Sequence, residues 1–193
     1  MSNNDTPQCG EAQMREILEV AATNTMSGVA AIDQALGDYP GDARLHFLKG
    51  SLLIDEKRFI GAYAAMRQAV ELAPDFHLAR FQLGLFELTS GEADAALATW
   101  RPLLALPVDS YLKNFVDGLE HLVADQFEPC IAELRAGIER NQENLPLNND
   151  MQLIIARCDE LMAGNGSVPV GNSDSEAVSA TSLLLSTSRR LRQ

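Results

Sequence analysis

Basic residues are scarce in this chain: 15 Lys and Arg stand against 27 Asp and Glu, giving a formal net charge of -12 and a pI near 4.6. Without a lysine and arginine patch on the body of the chain a phosphate backbone cannot be neutralised, which excludes a nucleic-acid partner. An acidic surface favours solubility and basic partners instead. Aromatics are also few, at 6%. The three cysteines, Cys9, Cys130 and Cys158, lie far apart, which suits reduced thiols in a cytoplasm and neither a disulfide framework nor a thiolate metal site. No apolar run approaches a membrane span. The opening Met1-Ser2-Asn3-Asn4-Asp5-Thr6-Pro7 lacks the basic start and apolar core of a signal peptide, so the expected location is cytoplasmic.

Catalytic signatures are lacking as well. His46, His77 and His121 are dispersed, with no cysteine or acidic residue at ligand spacing. There is no nucleophile elbow, no phosphate-cradling glycine loop and no paired-carboxylate site. Trp100 reads as core. The sequence therefore predicts a non-catalytic protein with no cofactor and no metal.

What the chain does have is periodicity. Gly50, Gly84 and Gly118 recur every 34 residues, and Ala62, Ala96 and Cys130 repeat the interval twelve residues further on. Small residues at matched offsets allow two helices to approach closely, so the interval describes one helix-turn-helix unit copied along the chain. Helical periodicity runs from about Glu11 to Ala163 without a convincing alternating strand, which predicts an all-α fold. The first complete unit has a helix from Ala43 to Asp55, a turn at Glu56-Lys57-Arg58 and a second helix from Phe59 to Leu72, with Pro74 as a stop. The second unit starts near His77, turns at Ser90-Gly91-Glu92 and runs its second helix from Ala93 to about Leu104. The third spans Tyr111 to about Asn141, with Asp125-Gln126 in its turn. The expected organisation is a disordered start over residues 1–10 and a helical domain over 11–163. That domain holds a degenerate unit over 9–42, units over 43–76, 77–110 and 111–144, and a capping helix over 149–162. A flexible tail rich in Gly, Asn and Ser follows over 164–193 and ends in an apolar patch beside Arg189, Arg190 and Arg192.

These residues resemble the tetratricopeptide repeat, a 34-residue pattern of Leu-Gly, then Ala, a large apolar residue and Pro. Leu83-Gly84, Gly91, Ala96 and Trp100 carry the likeness in the second unit. Gly50, Ala62, Met66, Ala69 and Pro74 carry it in the first, and Gly118, Phe127, Cys130 and Leu134 in the third. The resemblance implies a right-handed solenoid of stacked helix pairs whose first helices line a concave groove for peptides or helices. The family's basic clamp for a partner's C-terminal carboxylate is missing.

Where the family buries large apolar residues on the first helices, this chain has His46, Arg80 and Asn114, and then Leu53, Glu87 and His121. The apolar stripe lies instead on Leu78, Phe81, Leu85 and Leu88, and on Leu112, Phe115, Leu119 and Leu122, with Phe47 the corresponding aromatic of the first complete unit. Spacings of three, four and three place each set on one helical face. Two readings of the stripe stay open. As an exposed groove, with Phe47, Phe81 and Phe115 forming a ladder, it accepts a partner's peptide or amphipathic helix. As packed core it only holds the pairs together. The expected function is a protein-interaction module acting as adaptor, assembly scaffold or chaperone. The alternative is a structural subunit of a homo-oligomer or of a secretion or envelope assembly.

Overall fold

A computed structural model describes residues 7–164 of the chain; residues 1–6 and the tail from 165 onward, with its apolar and arginine-rich end, lie outside the described residues. The described chain is all-α: nine α-helices packed in sequential pairs, consistent with a helical repeat. They are α1 (Glu11–Thr23), α2 (Thr25–Asp38), α3 (Ala43–Asp55), α4 (Phe59–Leu72), α5 (His77–Thr89), α6 (Ala93–Trp100), α7 (Tyr111–Val123), α8 (Phe127–Arg140) and α9 (Leu145–Met162). The chain divides between Leu83 and Gly84, within α5, into two compact units.

The period seen in the glycines governs where helices begin. Second helices start at Thr25, Phe59, Ala93 and Phe127, and first helices at Ala43, His77, Tyr111 and Leu145, each 34 residues after the last. Turns repeat too. Lys57, Gly91 and Asp125 all take the left-handed conformation, with φ of 57°, 92° and 56°. The residue after each donates its N–H five residues back, Arg58 to Leu53 O, Glu92 to Glu87 O and Gln126 to His121 O, at 2.8, 3.0 and 2.9 Å. This is the closing bond of a Schellman C-cap, and it reverses the chain for pairing.

Three expectations shift at the residue level. α6 ends at Trp100 and continues as a 3-10 segment over Arg101–Ala105, because Pro102 has no N–H for the ladder and its ring crowds the preceding turn. The last helix starts at Leu145, four residues before the expected 149. Pro146 sits in its first turn, where the missing N–H has no intrahelical acceptor to lose. Cys9 is buried at 2% exposure, although the sequence places it in a disordered start.

In the first unit, Ile17, Ile32, Ala35 and Leu45 form a core with Cys9, flanked by Met14, Tyr39, Leu48 and Leu52. Asp42 organises the entry. One carboxylate oxygen caps α3 by accepting from Arg44 N at 3.0 Å, and the other accepts from Cys9 N at 2.9 Å. Arg44 completes the clamp, donating from Nη2 to Asp42 and to Cys9 O and from Nη1 to Glu11. Burial alone would raise the Asp42 pKa; the Arg44 side chain and the two backbone N–H groups outweigh it and hold the carboxyl below its ordinary value.

In the second unit, Trp100, Phe115, Leu103, Leu119, Leu134, Leu147 and Met151 are fully buried. Gly84 lies against the Trp100 indole, and Gly118 lies against Leu134 and the carbonyl of Cys130. Asn141, 1% exposed, ties the α8–α9 loop. Its Nδ2 donates to Asn144 O and Asn148 Oδ1, while its Oδ1 accepts from Asn144 N. Every polar atom of that buried amide is thereby satisfied.

Candidate interaction surface

The polar residues at the fourth position of the first helices each have a structural role. His46 Nε2 donates to Pro40 O at 2.9 Å, and Arg80 Nη2 donates to Pro74 O at 3.1 Å. Each closes the loop six residues upstream with a polar tip over an apolar stem. The third member, Asn114, is 7% exposed and bridges the pair instead. It donates to Glu133 Oε2 at 2.7 Å and accepts from Arg140 Nη1, binding α7 to α8.

None of the nine stripe residues is exposed. Phe47, Leu78 and Leu85 are half-buried, while Phe81, Leu88, Leu112, Phe115, Leu119 and Leu122 are buried. The helical rotation that causes this is visible at Phe115. A Cβ on Gly137 of α8 would fall 2.4 Å from its ring, so the face carrying Phe115 is turned into the α7–α8 seam. Tyr111 meets it edge-on, with centroids 5.7 Å apart. In the first unit the ring of Phe47 packs on Phe76 at 5.1 Å. Fully burying side chains of this size contributes about 1.5–3 kcal/mol each. As they stand, the six buried positions serve packing, and a partner would have to open the core to reach them.

An open apolar surface does exist on α9. The 34-residue interval after Gly118 lands on Gln152, which is solvent-exposed, whereas Gly50, Gly84 and Gly118 each press on a side chain of the following helix, Met66, Trp100 and Leu134. α9 is thus a first helix by register, and no second helix follows it among the described residues. Its unpaired face borders a shallow groove of about 360 Å³, lined by Arg135, Ile138 and Glu139 of α8 and by Gln152, Ile155, Ala156 and Asp159 of α9. Arg135 Nη2 and Asp159 Oδ2 face each other across it at 3.9 Å. Leu153, 63% exposed, and Met162, 41% exposed, add apolar area on the same helix.

Extrapolating the glycine interval by one more copy was the signal that could have located this surface, because it reaches a bulky, polar Gln152 where close packing demands glycine. The histidines are not gathered: His121 Nδ1 pairs with Gln126 Oε1 at 2.7 Å in a turn, and His77 is exposed. Among the described residues, no group of three His, Cys, Asp or Glu side chains could hold a metal ion, and no helix is long and apolar enough to cross a membrane.

No protein-family model matches the chain. No curated protein matches it either.

Proposed function

We propose that this protein is a non-catalytic interaction module of the tetratricopeptide-repeat type, with a right-handed stack of helix pairs, that binds an amphipathic helix of a partner protein on the α8–α9 groove. The observation that carries this reading is Gln152, exposed on a first helix whose pairing face no other helix covers among the described residues. A partner helix laid there would cover Gln152, Leu153 and Ala156, all exposed, and would repeat the helix-on-helix packing that Gly118 and Leu134 make one pair earlier. The margin carries both signs, with Glu139 beside the facing Arg135 and Asp159, and so fits a partner helix with mixed-charge flanks. Nothing in this mode of binding needs a cofactor or a metal. An adaptor, scaffold or chaperone in the cytoplasm would all use such a site.

The test pairs Leu153→Asp with Ala156→Arg, both at exposed positions. Circular dichroism and thermal melting should match wild type, and partners captured by the wild-type chain should be lost. If a folded double variant captures the same partners, the groove is not the site.

A second reading is favoured by the exposure of Leu145, Leu153 and Met162, at 60%, 63% and 41%. Two copies of α9 could cover one another, making the chain a structural subunit. Light scattering over a concentration series separates the two, since a constant monomer mass excludes self-packing.

A further inference from the structure

The seam between α8 and α9 holds a pair of thiols. Cys130 and Cys158 are buried at 0% and 1% exposure, and their Sγ atoms lie 4.0 Å apart. Helix packing does not require sulfur at either place. Cys130 stands at the fourth residue of its helix, where Ala62 and Ala96 are equally buried in the preceding pairs, so a methyl group fills that contact. On the α7 side, the carbonyl of Cys130 is already within 3.2 Å of where a Cβ of Gly118 would sit. Cys158 occupies the register held by Glu56, Ser90 and Ala124, all exposed residues just beyond the ends of α3, α5 and α7. Only because α9 runs 18 residues, against 13 for those three helices, does this position reach back over the neighbouring helix.

We propose that Cys130 and Cys158 form a thiol–disulfide couple that covalently staples α9 to α8 when the protein meets a small-molecule disulfide. The two sulfurs need to close by about 2 Å to reach bonding distance. At this separation one S–H is shared between the two sulfurs, and either can donate; the sharing favours ionisation of one thiol of the pair and opposes that of the other, while burial opposes both. Cys158, carried on the helix that must lift to admit the reagent, is the thiol that attacks first, as its thiolate.

Its sulfur attacks one sulfur of the small disulfide, the S–S bond breaks, and one thiolate leaves. The Cys130 thiol then passes its proton to that thiolate and attacks Cys158 Sγ, expelling the second thiol. Two protein thiols are oxidised and one small disulfide is reduced to two thiols, with no other reactant. Because both sulfurs are buried, reaction waits on the lifting of α9. The inference stands independently of the groove's proposed role.

The experiment incubates the full chain with oxidised glutathione, alkylates remaining thiols under denaturing conditions and maps peptides without reduction. The expected result is a linked peptide pair containing Cys130 and Cys158, reversed by dithiothreitol, with Cys9 left as a monothiol. The thermal midpoint of the oxidised chain should rise by about 5 °C. Cys9→Ser should behave identically, and Cys158→Ala should show neither link nor rise. If Cys130 and Cys158 are both alkylated after oxidation, or if glutathione remains on one of them without a link, the couple does not exist. Should Cys158→Ala fail to fold, the wild-type peptide map decides alone.

Discussion

A Cβ added to Gly84 would lie 2.2 Å from Nε1 of Trp100, closer than any real contact permits. The indole is rigid and fully buried, so neither residue can yield cheaply. Gly84→Ala should destabilise the protein by about 2 kcal/mol, because overpacking outweighs the roughly 1 kcal/mol that alanine contributes to helix propensity. Gly37, in α2, is the control. It has nothing within 4 Å of a Cβ, and Gly37→Ala should stabilise by about 0.5–1 kcal/mol. Urea unfolding of the two variants should give shifts of opposite sign.

The turn between α3 and α4 carries a non-glycine residue in the left-handed region, Lys57 at φ 57°. Its counterpart 34 residues on is Gly91, which adopts the same region without strain. Lys57→Gly should therefore raise stability by about 1 kcal/mol. Asp125→Gly should gain less, since aspartate tolerates this conformation better than lysine. Equilibrium unfolding midpoints check both.

Asp42 binds the chain start to the first turn of α3 through Cys9 N and Arg44. Its folded pKa is lowered, so its contribution is present above the unfolded value of about 3.9 and is lost as pH falls through the folded value. Asp42→Ala should cost about 2–3 kcal/mol at pH 7, having removed a helix cap, left the buried Cys9 N unpaired and reduced Arg44 to its bonds with Glu11 and Cys9 O. The gap between variant and wild type should narrow steadily below pH 4. Denaturant melts at pH 7 and pH 3 measure this, and a gap independent of pH would contradict the clamp.

Asn141 is the only buried residue of the α8–α9 loop, and its side-chain amide ties the loop to itself and to α9 through Glu143 N, Asn144 N, Asn144 O and Asn148 Oδ1. Asn141→Ala should cost about 1–3 kcal/mol and should speed amide exchange in α9 before that in α7. Hydrogen exchange with peptide resolution reports both effects.

Much of the architecture was legible because one physical requirement, close approach at Gly50, Gly84 and Gly118, recurs at a fixed interval. Helix starts at Ala43, His77 and Tyr111, and the turns at Lys57, Gly91 and Asp125, all follow from that register. Exposure of the stripe was not legible. A spacing of three and four identifies a face, but only the contact of Phe115 with Gly137 shows which way the face turns. The α9 start was hidden by Pro146, which reads equally as a stop and as a first-turn residue. The tight Asp42 clamp was invisible because its partners, Cys9 and Arg44, are distant in sequence or carry no motif.

Site-specific photocrosslinking tests the central claim that the open face of α9 is where a partner binds. A photoreactive side chain at Gln152 should give adducts with a second protein, whereas the same group at Ile60, 91% exposed on α4 in the other unit, should give none. Equal adducts from both positions, or adducts from Ile60 alone, would contradict the assignment.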